Sequence, residues 1–254
     1  MLKKRIIPTL LFNDSGLVKG IKFKNHRYIG DPLNAVKIFN EKEVDEIVFL
    51  DISATIKKKP PNFQLISEIA SELFVPFAYG GGIKSVAEIE KIFKLGAEKV
   101  IINSAAFYTP MLIQEASKIA GAQSIVVSMD VKKNWLGKQE VYINNGTTRT
   151  KTDPTDYAQK MQDLGAGEII ICSIDREGTG TGYDTDLLEK ISTAVEIPVI
   201  ASGGANQVQD IVQILKKTNV SGASAGSMFV FHGKHRAVLI TYPHYSELEK
   251  LLNE

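Results

Sequence analysis

The chain has 254 residues, 44% of them hydrophobic and 23% charged, with a formal net charge of +1 at pH 7; this suits one large or two ordinary globular domains and gives no field for drawing in nucleic acid. The basic clusters Lys3 to Arg5 and Lys57 to Lys59 are short, so binding to DNA, RNA or a membrane is not expected. The single cysteine, Cys172, excludes an intramolecular disulfide, no segment nears the roughly 20 apolar residues that span a bilayer, and "MLKKRIIPTLLF" lacks the apolar length and cleavage site of a secretory signal; a reducing cytoplasm is the expected location.

Short β-branched runs succeed one another along the chain. They read "RIIPTLLF" from Arg5, "EIVFLD" from Glu46, "PFAYGG" from Pro76, "KVIIN" from Lys99, "SIVVSMD" from Ser124, "EIIICS" from Glu168, "PVIASGG" from Pro198 and "SGASAG" from Ser221. Between most of them apolar residues fall at helical spacing, as at Val86, Ile89, Ile92 and Phe93, or Val208, Ile211 and Ile214. Such alternation predicts parallel strands with crossover helices, and near-continuous apolar strands predict burial on both faces. Eight units in one chain of this length predict an α/β fold of the closed (β/α)₈ TIM-barrel type in a single domain, 1–254.

The sequence also repeats itself. "GDPLNAVKIFNEKEVDEIVFLDIS" from Gly30 matches "TDPTDYAQKMQDLGAGEIIICSID" from Thr152, 122 positions later, and the same interval relates "VPFAYGGGIKSVAEI" from Val75 to "IPVIASGGANQVQDI" from Ile197 and "NSAAF" at 103 to "AGSMF" at 225. Two half-barrels are expected, about 1–120 and 121–240, with a C-terminal helix over about 245–253. The first strands, "IIPTLL" and "IVVSMD", align at a slightly smaller interval, which places Leu11 and Asp130 in equivalent positions.

In this fold chemistry gathers where strands end and βα loops begin. Glycines there let backbone approach a ligand, and amides opening a helix can cradle phosphate. Gly81 and Gly82 with Asn103, Ser104 and Ala105 make one candidate phosphate pocket; Ser202, Gly203 and Gly204 with Gly226 and Ser227 make its twin. The expected ligand carries two separated phosphates. A carboxylate leaving an apolar strand is partly desolvated and suited to proton transfer, which makes Asp130 the catalytic candidate. Asp51, and Asp175, Glu177 and Thr179 in "SIDREGTGTGYD", supply further polar groups; Asp51 reads equally as a loop anchor. The loop from Asn13 to Tyr28, carrying Lys19 and Lys22, is long enough for a lid.

At the opposite face Arg5, Glu46, Lys99 and Glu168 open strands 1, 2, 4 and 6. Their charges can close into a neutral ring, by default a stability feature. Cys172 is expected to pack as a small apolar residue. His26, His232, His235 and His244 lack metal-ligand spacing, so no metal is expected. "GTGTGYD" is not a dinucleotide fingerprint, because it opens no helix after a first strand.

The motifs "KRIIPTLLFNDSGLVKG", "DEIVFLDISA", "GGGI", "INSAA", "DREGTGTGYD", "VIASGGA" and "AGSMF" resemble the cyclase subunit of imidazole glycerol phosphate synthase, the HisF family, over about residues 1 to 230. The resemblance implies a barrel that docks a HisH-like glutaminase on its lower face and receives ammonia through its axis. It implies no cofactor, and makes Arg5, Glu46, Lys99 and Glu168 the gate of the ammonia passage. The family's acid-base pair would fall at positions 11 and 130. Here position 11 is Leu, position 9 is Thr in place of the family cysteine, and the end "FHGKHRAVLITYPHYSELEKLL" is longer and more basic than the family's short helix.

These departures resemble the paralogous branch linked to glycosyl amidation. There a HisF-like barrel and its glutaminase supply ammonia for turning an acetamido sugar group into an acetamidino group in surface glycans, and a third, ATP-using protein activates the sugar. Two other functions fit the motifs: a true cyclase of histidine biosynthesis, which takes a ribulosyl-aminoimidazole carboxamide ribonucleotide to imidazole glycerol phosphate and an aminoimidazole carboxamide ribotide, and a phosphate-binding scaffold that activates the glutaminase without chemistry of its own.

Overall fold

A computed structural model describes residues 4–243, 248 and 250–252. Eight parallel strands follow the eight β-branched runs: β1 (Arg5–Asn13), β2 (Ile47–Asp51), β3 (Phe77–Gly80), β4 (Lys99–Ile102), β5 (Ile125–Lys133), β6 (Glu168–Ser173), β7 (Val199–Ser202) and β8 (Gly222–Ala225). Each pairs with its neighbours in chain order, β8 returns to β1, and β5 joins β6, so the sheet closes into a barrel.

Side chains alternate between the faces of a strand, and closure turns that alternation into layers. Ile7, Val48, Ala78, Ile101, Val126, Ile170 and Ile200 form an apolar ring inside the barrel, with Leu50 packed on it. A larger apolar cluster lies outside, between strands and helices, where Phe49 stacks on Tyr79 with ring centres 6.3 Å apart. Each fully buried side chain of this size contributes about 1.5–3 kcal/mol, so both faces of the strands hold the barrel shut.

Pairing register aligns the two halves of the chain. Leu11 pairs with Leu50 and Leu50 with Gly80; Asp130 pairs with Cys172 and Cys172 with Ser202. Helix starts follow the same interval. The Asp31 carboxylate accepts from the Asn34 amide at 2.9 Å before helix Pro32–Glu41, and Asp153 accepts from the Thr155 amide at 2.8 Å before helix Pro154–Asp163; proline at the first helical position loses nothing, because that amide has no intrahelical partner. Glu88 accepts from the amides of Lys84 and Ser85 at the head of helix Val86–Lys94, and Asp210 from those of Asn206 and Gln207 at the head of helix Val208–Lys217.

The long connection after β1 is a β-ribbon rather than a loop. Gly16–Ile21 pairs antiparallel with the end of β1 and with Lys24–Gly30. The chain reverses at Lys22 and Phe23, with φ of 51° and 61°, a pair of left-handed residues that suits a two-residue hairpin turn without its usual Asn-Gly signal. A second ribbon leaves β5 through Gln139–Ile143 and Thr148–Arg149. A one-turn helix, Ser227–Val230, follows β8, and the basic stretch after it begins with a hairpin pairing Phe231 with Val238. Residues 248 and 250–252 are helical; the rest of the helix expected over 245–253 lies outside the described residues. Among the described residues no helix is long and apolar enough to cross a membrane.

Candidate active site

One cavity occupies the barrel mouth, and all ten residues of the two candidate phosphate pockets line it, together with Leu11, Lys19, Asp51, Asp130, Cys172 and Glu177. Glycine is required at its edge. Gly81 has φ +124°, and a side chain there would collide with the Asp51 backbone. The helices that follow the two pockets are short and differ from the self-capped ones. Helix Ser104–Tyr108 begins at Asn103 and helix Ser227–Val230 at Gly226, and among the described residues neither has a side-chain cap, so no side chain competes for their first amides beside the mouth. Among the described residues the Ser227 hydroxyl is buried without a partner. Buried polar groups are normally satisfied; these donors suit an anion.

Asp130 is buried in β5, where that strand passes from the barrel into the second ribbon. The Asn103 side-chain amide donates to its Oδ2 at 3.1 Å and to the Ser128 carbonyl at 3.0 Å, and Ser104 donates to Asn103 Oδ1. Burial pushes the Asp130 carboxyl up to about 7, against the Asn103 hydrogen bond and helped by the nearby Glu177 charge. A carboxyl that titrates near neutrality can both take and give a proton. Across the mouth the equivalent strand end presents Leu11 beside Leu50, a hydrocarbon wall where the other half presents Asp130 beside Cys172.

The β1 ribbon covers this mouth. Its Lys19 is buried, 3% exposed, and donates to the Thr9 carbonyl at 2.6 Å; a side chain on Gly226 would overlap the Lys19 ammonium. Burial lowers Lys19 to about 8, opposed by the Glu177 charge. Glu177 is itself pushed up by burial, opposed by Lys19. Among the described residues its carboxylate has no hydrogen bond or ion pair, and the Lys22 amide ties the ribbon to the Glu177 carbonyl at 2.9 Å. Thr9 and Ser224 bond to each other through their hydroxyls below Lys19.

Two expectations need correction, those for Asp175 and Thr179. Asp175 turns away from the mouth and accepts from the Lys133 amide at 2.8 Å, and Thr179 bonds to the Arg176 carbonyl and to Thr181; neither lines the cavity. The loop curls at Ser173, whose carbonyl takes the amides of Arg176 and Glu177, so of these three loop residues only Glu177 faces inward. Cys172 is buried in β6, as a small apolar residue would be, and also lines the cavity; burial pushes its thiol well up, which leaves it protonated and unreactive. Asp51 lines the mouth, yet its Oδ1 accepts from the Ser53 amide and hydroxyl and the Ala54 amide at 2.9 to 3.0 Å, which engages it as the anchor of its own loop. Sequence reasoning missed Phe23, His26 and Asn145, which line the mouth from the two ribbons.

At the far end of the axis the four charged residues meet. Arg5 pairs with Glu46 and Glu168, and Lys99 pairs with Glu46 at 2.9 Å and Glu168 at 3.3 Å. The carboxylates of the ring are nearly dry, with side-chain exposures of 4% for Glu46 and 6% for Glu168, while Arg5 and Lys99 keep 23% and 17%. Among the described residues no group of three His, Cys, Asp or Glu side chains could hold a metal ion.

The profile of a family described as "Histidine biosynthesis protein" matches residues 5–236. A Pseudomonas aeruginosa protein named "Putative imidazole glycerol phosphate synthase subunit hisF2" is 49% identical over 249 residues, 98% of this chain and 99% of the relative. A Leptospira interrogans protein named "Putative imidazole glycerol phosphate synthase subunit HisF" is 47% identical over 252 residues, 99% of each chain. A Petrotoga mobilis protein named "Imidazole glycerol phosphate synthase subunit HisF" is 45% identical over 230 residues, 90% of this chain and 91% of the relative.

Proposed function

We propose a function from one premise: the chain belongs to the histidine biosynthesis protein family and is HisF-like. On that premise it is the synthase subunit of a glutamine amidotransferase complex. A glutaminase docks on the face that carries the Arg5, Glu46, Lys99 and Glu168 ring, ammonia moves along the axis, and a phosphorylated acceptor sits in the mouth between the two pockets. The reaction is amidation of a sugar, acetamido to acetamidino, for a surface glycan. A third, ATP-using protein first converts the amide oxygen into a phosphorylated or adenylylated leaving group. Ammonia then forms the new C–N bond, the C–O bond to the leaving group breaks, and Asp130 receives the proton released from nitrogen.

The observation that carries this reading is Leu11. The barrel keeps both pockets and Asp130 at its mouth and the charged ring at its far end, yet the strand end facing Asp130 is hydrocarbon and can neither take nor give a proton. Ring closure needs complementary acid and base, each worth about 10²- to 10⁴-fold; capture of one ammonia by an already activated carbon needs a single base. The experiment is to give the purified barrel ammonium salt and the histidine-pathway bisphosphate. Turnover near that of an ordinary cyclase would falsify the amidation reading.

A second reading, cyclase of histidine biosynthesis, is favoured by Glu177. Its carboxylate is unengaged in the same cavity as Asp130, and its burial-raised affinity for protons suits an acid-base partner. Substitution Glu177→Gln separates the two: it abolishes ring closure under this second reading and spares ammonia capture under the first.

A further inference from the structure

We infer that the outer strand of the β1 ribbon and the hairpin after β8 form an outer anion subsite, which continues the Gly226 pocket and takes the second phosphate of a diphosphate-linked substrate. The inference rests on the reading above in one respect, that the mouth takes a phosphorylated ligand.

The geometry starts at Lys19, whose ammonium lies against Gly226. Arg27 is its direct cross-strand partner, and directly paired residues of an antiparallel ribbon share a face. The Arg27 guanidinium stands 5.7 Å from the centre of the Phe231 ring, and the Arg236 guanidinium 4.5 Å from the same ring. Phe231 follows Gly226 by one short helical turn, an axial rise of about 6 Å. Lys19, Arg27 and Arg236 therefore form a file of cations running outward from the inner pocket.

Both arginines are exposed, and among the described residues neither has an ion pair. Contact with the Phe231 ring uses none of the guanidinium hydrogen-bonding capacity, and among the described residues neither arginine side chain makes a hydrogen bond, which leaves the N–H fork that matches phosphate oxygens. Two like charges held at one ring repel, and the exposed cation–π contact offsets this only modestly. An anion that engages both removes the repulsion. A single phosphate in the inner pocket does not extend this far, whereas a diphosphate, or a phosphate continuing into a carrier group, does.

The test is calorimetric titration of the full-length protein, at fixed ionic strength, with inorganic phosphate, inorganic pyrophosphate and uridine diphosphate. Two charge-assisted hydrogen bonds predict a diphosphate preference over phosphate of about tenfold or more. Arg27→Gln with Arg236→Gln should abolish that preference and leave phosphate affinity within about twofold, while Arg27→Lys with Arg236→Lys retains part of it. Pyrophosphate and uridine diphosphate losing equally assigns the subsite to the diphosphate itself; a larger loss for uridine diphosphate assigns it to a nucleoside-linked carrier. Phosphate binding with no diphosphate advantage, or losses common to all three probes, overturns the inference and leaves the phosphorylated-ligand reading standing. No binding of any probe overturns both.

Discussion

Leu11 and Asp130 stand at equivalent heights on opposite sides of the barrel: Leu11 pairs with Leu50 as Asp130 pairs with Cys172, and each second partner pairs onward, to Gly80 and to Ser202. The difference between them is therefore chemical and not positional. Substitution Leu11→Asp places a carboxylate at a site already built to face Asp130. Ring closure of the histidine-pathway bisphosphate with ammonium salt should then rise by at least about tenfold, a fraction of what acid-base assistance can supply. The variant loses about 1–3 kcal/mol in urea unfolding, because the new carboxyl meets the Leu50 wall. A variant that folds, binds the bisphosphate and closes no ring would place the deficit elsewhere.

Substitution Lys99→Ala removes one of two cations from the ring that otherwise closes over Glu46 and Glu168. With the glutaminase bound, glutamine-driven product formation should fall while product formation from ammonium salt stays near wild type. Equal losses in the two assays would reduce the ring to a stability feature.

Arg5 touches both buried carboxylates of that ring. Arg5→Ala leaves each with Lys99 alone, and breaking a buried pair from one side typically costs about 3–5 kcal/mol. Urea unfolding at neutral pH measures it; a loss below about 1 kcal/mol would mean that water reaches the ring and screens it.

Asp130 makes stability depend on pH in a defined direction. Its folded value, about 7, lies above the ordinary 3.8. Below pH 4 it is protonated in both states and its burial is tolerated; as pH rises from about 4 to 7 the unfolded chain gives up the proton first, and folding loses that contribution. Asp130→Asn should therefore gain stability relative to wild type between pH 4 and pH 8, by an amount on the order of 1–4 kcal/mol. A pH-independent difference would show the carboxyl to be well solvated.

The barrel was legible because its signals are periodic. Alternation of apolar residues marked the strands, and the glycines of "GGG" and "SGG" marked the mouth through a backbone demand that a residue type alone announces. Periodicity ends where strands end. Nothing in "DREGTG" distinguishes Glu177, which turns inward, from Asp175 and Thr179, which turn away; the Ser173 carbonyl decides that, by gathering the Arg176 and Glu177 amides. The ribbon after β1 was hidden for a related reason. Its turn uses Lys22 and Phe23 in left-handed geometry, residues that carry no turn signature, so a covering sheet with a buried Lys19 read as a long loop suited to a lid.

The seven-residue hydrocarbon ring between the charged ring and the mouth has a further consequence. It offers no partner to an ion and none to water, so whatever moves along the axis must leave its proton and its hydration shell behind. Nitrogen crossing it would emerge as the free base with its lone pair exposed. Water, the competing nucleophile for any activated carbon above, is disfavoured by the same seven side chains. Under the proposed route for ammonia, the most featureless layer of the barrel is the chemical filter that would decide which nucleophile the mouth is offered.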